Sequence, residues 1–235
     1  LGGVSAFQVE LGQEVYTSGD KADVIVAMNA AALKVCTLGS HFNHPQAHFD
    51  DDFALYHRHA VVIVDTDSLT EKDLEKAQYH TDNPFTELGI PESVQVVPVA
   101  LTTLTKEALK DSGMDNKSVL KSRNMFALGL IYWLFDEPMD KAIHLLEGKF
   151  KKKPALIAPN TKVMVDGYNY GANSALSVNQ IRLGESGGDS QETGVYTSIA
   201  GNRATAFGLI AAAEKAGKRL FLGSYPITPA TDILH

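Results

Sequence analysis

Ser224-Tyr225-Pro226-Ile227-Thr228-Pro229 sets a hydroxyl between two prolines near the end of a 235-residue chain. Each proline locks its own φ and biases the residue before it away from the helical region, so the loop is stiff. Thr228 stands where an N-cap hydroxyl belongs, with Pro229 at the first helical position and Asp232 in the first turn. A loop that leaves a strand, here Leu220-Phe221-Leu222, and ends at a helix N-terminus presents backbone N–H groups and positive partial charge. In open α/β sheets such crevices hold ligands. Two roles are open to Thr228: capping its helix and nothing more, or donating a hydrogen bond to an oxygen of a bound substrate, as an oxyanion hole does.

Other residue types invite chemistry and carry less. His41, His44 and His48, with Asp50-Asp51-Asp52, His57 and His59, have the density of a zinc or nickel site, yet their acidic, mixed setting reads as a surface loop. Cys36 is the single cysteine, with no nearby histidine to activate it as a nucleophile. It also excludes a disulfide framework and any four-thiolate iron–sulfur cluster supplied by this chain alone. Arg123 and Asn124 lie on a mostly apolar helix, where a buried polar pair needs partners at a helix end or between domains. Lys149 to Lys153, interrupted by Phe150, read as the cationic C-terminal turn of the helix before them.

Three β-branched runs must position these residues: Ala22 to Met28, Ala60 to Asp65 and Val94 to Val99. Runs that are apolar at nearly every position suit strands buried on both faces of a parallel sheet. Helical patterns lie between and after them. Thr70 caps Glu71 to Gln78, Leu104 to Lys110 forms a short helix, and Val119 to Phe135 is apolar around most of its circumference, as a central helix is. Met139, Ala142, Ile143, Leu146 and Phe150 recur at helical spacing, and a further helix runs from about Asn160 to Tyr170 and ends near Gly171. Gly3 to Leu11 reads as a strand, and Gly201 to Ala216 as a small-residue helix stopped by Gly217. The fold class is therefore layered α/β.

The glycine-rich, aperiodic segment Gly184 to Gly194 marks a linker. The expected organisation is a first domain over 1–183, a linker over 184–198 and the start of a second α/β domain over 199–235. Leu1 in place of Met, and a helix barely begun at His235, lead to the expectation of an internal piece of a longer polypeptide. A net charge of −7 argues against nucleic-acid or anionic-membrane partners, and no apolar run is long enough to span a bilayer. A soluble cytoplasmic protein is expected.

The string Tyr225-Pro226-Ile227-Thr228-Pro229 resembles a motif of the 2-oxoacid:ferredoxin oxidoreductases, at the start of their pyrimidine-binding thiamine diphosphate domain. The resemblance runs upstream through Gly201-Asn202-Arg203-Ala204-Thr205-Ala206-Phe207-Gly208. The first domain resembles the family's gamma domain, through Gly2 to Val9, Ala27-Met28-Asn29, Lys106 to Leu109, Arg123 to Gly129, Ala158-Pro159-Asn160 and Gly167-Tyr168-Asn169. About Cys36 to His59 is not covered.

The resemblance implies a fused gamma–alpha subunit, with 2-oxoglutarate favoured as substrate. It implies oxidative decarboxylation of the 2-oxoacid, transfer of the acyl group to coenzyme A and electron delivery to ferredoxin. Tyr225, Pro226, Ile227, Thr228 and Pro229 would face substrate or cofactor, with Thr228 catalytic. Thiamine diphosphate with Mg2+ would be held mostly by a beta subunit, and the iron–sulfur cluster would sit on a partner subunit. The carboxylate that activates the thiamine ring would lie after His235, so this piece alone is expected to be inactive. The rivals are a pyruvate or branched-chain 2-oxoacid enzyme of the same family, and a non-catalytic coenzyme-binding or assembly module. A nicotinamide-linked dehydrogenase is disfavoured, because no G-x-G-x-x-G follows any strand.

Overall fold

The β-branched runs form a parallel sheet in the computed structural model, which describes residues 6–11, 21–38, 56–174, 176, 178–182, 199–225 and 230–233. The strands are β1 (Ala22–Ala27), β2 (Tyr56–Asp65) and β3 (Gln95–Val99), in the order β1-β2-β3. Val24 pairs with Val61 and Ala27 with Val64, while Val61 pairs with Gln95 and Asp65 with Val99. Alternate residues of β2 serve opposite layers. Ala60, Val62 and Val64 pack with Leu33, Leu74, Tyr79 and Leu88, whereas Val61 and Ile63 pack with Leu101, Phe126, Leu130 and Val163. Both faces are thus covered, which is why the strands read as continuous apolar runs. The fold is mixed α/β, as the sequence leads one to expect.

Helices α1 (Ala30–Leu38), α2 (Glu71–Lys76) and the short α3 (Pro84–Glu87) follow β1 and β2. Thr70 caps α2 by accepting the Asp73 N–H, and Asn83 caps α3 by accepting those of Phe85 and Thr86. The next four are α4 (Leu101–Ala108), α5 (Asn116–Leu134), α6 (Asp140–Lys149) and α7 (Ile157–Asn173). From Met125 to Leu134 no residue of α5 is exposed, because the helix is shared by the sheet and α7. The ring of Phe126 meets Tyr170 of α7 edge to face, with centroids 5.8 Å apart.

Glycines set the α5–α7 distance. A Cβ on Gly129 would run into the Met164 carbonyl, one on Gly167 into the Phe126 carbonyl, and one on Gly171 into the Trp133 ring. The first two obstacles are backbone and cannot rotate away. Gly167→Ala is therefore expected to destabilise by about 1–3 kcal/mol through overpacking, even though alanine is the better helix former. Gly148, whose Cβ would meet nothing within 4 Å, is the control. Gly148→Ala should stabilise by about 0.5–1 kcal/mol. Urea midpoints of the two variants check this, and a Gly167→Ala gain equal to that of Gly148→Ala would refute the close contact.

Several boundaries differ from the sequence reading. α7 runs through Gly171 to Asn173, since that glycine admits an indole ring and does not end the helix. α6 ends at Lys149, so Lys151, Lys152 and Lys153 lie beyond its last turn. Residues 6–11 form no strand and are exposed, while 1–5 lie outside the described residues. α1 was not anticipated.

The chain divides into two compact units, Leu1–Ser186 and Gly187–His235. The second contains α8 (Gly201–Lys215) and a 3₁₀ turn, Ala230–Ile233, that packs against it. Gly217 follows α8 at φ 63°, a conformation that favours glycine and closes the helix as expected. Leu220-Phe221-Leu222 is not a strand. These residues are exposed, and no described strand lies alongside to pair with them. Among the described residues no helix is long and apolar enough to cross a membrane.

Candidate functional site at the carboxyl edge of the sheet

The strands of a parallel sheet all end on one edge, and here the helices restart at once from that edge. Asn29 follows β1 and caps α1, its Oδ1 accepting the Ala32 N–H at 2.8 Å. α4 follows β3, but its N-cap, Ala100, has no polar side chain to offer. β2 supplies the missing acceptors. Asp65 Oδ1 accepts the Leu101 N–H at 3.2 Å, and Asp67 Oδ2 accepts the Thr103 N–H at 2.6 Å. Asp67 Oδ1 also accepts the Thr103 hydroxyl at 2.9 Å.

Asp65 is fully buried, so its charge needs partners. It accepts hydrogen bonds from the Asp67 N–H at 3.2 Å and the Ser68 hydroxyl at 2.9 Å. Arg123 of α5 brings Nη1 to 3.3 Å from Asp65 Oδ2 and to 3.4 Å from the hydroxyl oxygens of Ser68 and Thr102. Two carboxylates, one guanidinium and the positive end of α4 nearly balance. The cluster is a brace that fixes the carboxyl edge of the sheet, more than a receptor for a strongly charged ligand.

Of the two polar residues singled out on α5, Arg123 thus finds its partner within this unit. Asn124 is exposed, which corrects the expectation of a buried pair, because an exposed amide needs no partner from the protein. Sequence reasoning missed Asp65, Asp67 and Thr103. An acid closing a β-branched strand, Val61-Val62-Ile63-Val64-Asp65, was the available signal.

The side away from α5 holds a second buried charge. Lys34 of α1 is 8% exposed; its Nζ donates to the carbonyls of Ala77 (3.3 Å) and Gln78 (2.5 Å) at the end of α2. Nζ also lies 4.7 Å from the Tyr79 ring centroid and 3.9 Å from Glu87. Burial pulls the Lys34 pKa down, with Glu87 opposing. Burial and then Glu87 push the Tyr79 hydroxyl well above its ordinary value, and that hydroxyl donates to the Ala30 carbonyl at 3.1 Å.

For Glu87, burial acts to raise the carboxyl, but the N–H groups of His80 and Thr81, the Thr81 hydroxyl and Lys34 outweigh it and leave the pKa below its ordinary 4.5. A depressed carboxylate contributes stability above its unfolded pKa and loses it as pH falls through the folded value. Wild type should therefore exceed Glu87→Gln in stability at neutral pH, with the gap closing below about pH 4.5. A gap that stays constant from neutral pH to acid would contradict this.

The loop residues singled out in the sequence fall mostly elsewhere. Tyr225 is exposed, at 74%. Pro226, Ile227, Thr228 and Pro229 lie outside the described residues, as do residues 39–55 with His41, His44 and His48. Among the described residues, no group of three or more His, Cys, Asp or Glu side chains is arranged to hold a metal ion. Cys36 is half-buried, and burial raises its thiol pKa, which leaves it protonated and a poor nucleophile.

A parallel sheet covered on both faces, with helices opening from its carboxyl edge, defines an open-sheet α/β domain. Its family is shown by comparison: residues 1–170 match the model of the pyruvate ferredoxin/flavodoxin oxidoreductase family. The chain belongs to that family. It is 36% identical over 236 aligned residues to the 2-oxoglutarate oxidoreductase subunit KorA of Mycobacterium tuberculosis, covering all of this chain and 33% of that protein. The fold matches that of a 2-oxoglutarate:ferredoxin oxidoreductase from Magnetococcus marinus, solved with 2-oxoglutarate, coenzyme A and succinyl-CoA bound. There the TM-score is 0.56 at 22% identity, over 94% of this chain and 30% of that one. The chain thus spans about a third of the length of each relative.

Proposed function

We propose that this chain is part of the alpha subunit of a 2-oxoacid:ferredoxin oxidoreductase that converts 2-oxoglutarate and coenzyme A to succinyl-CoA. The observation that carries the reading is the 36% identity to KorA along the whole chain. Residues 1–183 would be a gamma-type domain and 199–235 the start of the pyrimidine-binding domain, joined by the linker over 184–198. Electrons would leave for ferredoxin through an iron–sulfur cluster on a partner subunit.

Thiamine diphosphate, when bound, supplies the electron sink that decarboxylation requires and that no side chain offers. In this reading Mg2+ and the diphosphate are held mostly by residues of the beta subunit. This chain's contribution is positional. Thr228 donates its hydroxyl to a substrate oxygen, Pro226 and Pro229 stiffen the loop that carries it, and Tyr225 and Ile227 flank the bound molecules. Asp65, Asp67 and Arg123 keep the sheet edge of the gamma-type domain rigid, where coenzyme A is the ligand in prospect.

The full-length protein with its beta subunit should reduce a viologen dye only when both a 2-oxoacid and coenzyme A are present. Reduction independent of coenzyme A, or none with any 2-oxoacid, would overturn the reading. A second reading has its own support, since the family model is described by pyruvate. It makes the enzyme a pyruvate or branched-chain 2-oxoacid oxidoreductase, and substrate preference separates the two.

A further inference from the structure

The charge of the chain is −7, yet one surface runs against it. Lys149, Lys151, Lys152 and Lys153 are all exposed at the end of α6 and in the turn that follows. That turn is closed by the Lys153 N–H donating to the Phe150 carbonyl at 2.7 Å, so the four lysines leave one short, folded-back stretch of backbone. No described carboxylate pairs with any of them; Glu147, the acid nearest in sequence, is instead 3.5 Å from His144. Lys141, Leu145 and Lys149 recur at i, i+4 on α6, and Leu145 is 70% exposed between the two lysines. The surface is a basic stripe around one apolar side chain.

Helix capping does not account for it, because three of the lysines lie past the helix. Permanent subunit interfaces are depleted in lysine, so an obligate contact does not suit it either. Flexible point charges around a small apolar spot suit a transient encounter, in which charge steers an acidic partner and little area is buried.

We infer that this lysine stripe on α6 is a docking surface for an acidic electron-carrier protein of the ferredoxin or flavodoxin kind. The inference rests on the proposed function, which requires such a carrier, and the family description names both. Charge complementarity selects the occupant: an acidic carrier meets four lysines that no described carboxylate neutralises, on a chain of net charge −7.

The test uses the intact complex with an acidic ferredoxin and, separately, a viologen dye as acceptor. K149E/K151E/K152E/K153E should raise the KM for ferredoxin by about tenfold or more and flatten its salt dependence. The kcat with viologen and the KM for the 2-oxoacid should not change. Replacing the same lysines by arginine should keep the ferredoxin KM near wild type, which a merely structural role would not require.

An unchanged ferredoxin KM in the glutamate variant overturns the assignment. So does loss of viologen reduction in that variant, which would make the stripe a subunit contact. Absence of 2-oxoacid-dependent viologen reduction in the wild type overturns the proposed function itself, a result distinct from either.

Discussion

Thr228→Ala in the intact complex is expected to lower kcat by about 10²–10³-fold while the subunits stay assembled, the loss found on removing one oxyanion-type donor. The expectation follows from the proposed role of Thr228, whose hydroxyl stands in the sequence between Pro226 and Pro229. A helix cap alone would behave differently. Its loss costs about 1 kcal/mol of stability and leaves turnover intact. Steady-state kinetics beside a thermal melt therefore separate the roles. Serine at position 228 keeps the hydroxyl and should recover most of the activity. Turnover within about twofold of wild type for the alanine variant would reduce Thr228 to a cap.

Asp65→Ala is expected to cost about 3–5 kcal/mol, because it strands the Arg123 guanidinium and the Leu101 N–H at the sheet edge. For a chain of this size that is a fall in melting temperature on the order of 10 °C. Arg123→Leu should also destabilise, by leaving a fully buried carboxylate without its counter-charge. Asp65→Ala combined with Arg123→Leu should cost less than the sum of the two single changes, since the pair is in contact. Strict additivity would show that the pair does not interact and that the brace is misassigned.

Where sequence was legible, the information was local. The run Ala60 to Asp65 reads as a doubly buried strand because its residues face one apolar layer or the other, and Thr70 reads as a cap because the N–H it accepts lies three residues away at Asp73. α4 shows the limit. It starts at Leu101, not Leu104, and the acceptors that let it start there arrive from Asp65 and Asp67 on the neighbouring strand. No window around Ala100 contains that information.

Gly171 misleads for a related reason. In the sequence a glycine at the end of a periodic stretch signals a stop, but its lack of a side chain is used here to admit the Trp133 ring. Leu220-Phe221-Leu222 has strand composition without a described strand to pair with, and composition cannot supply one. The candidate site divides in the same way. Pro226 to Pro229 lie outside the described residues, whereas the brace at the sheet edge depends on residues brought together by the parallel topology, which no local spacing reveals.

The central claim is most directly tested by identifying the acyl-CoA product. The full-length protein, assembled with its beta subunit and thiamine diphosphate, would receive 2-oxoglutarate and pyruvate together with coenzyme A and an electron acceptor. Succinyl-CoA should be the dominant product, with a higher kcat/KM for 2-oxoglutarate than for pyruvate. Acetyl-CoA as the dominant product would contradict the substrate assignment, and an assembled, cofactor-loaded complex that yields no acyl-CoA from any 2-oxoacid would contradict the enzyme itself.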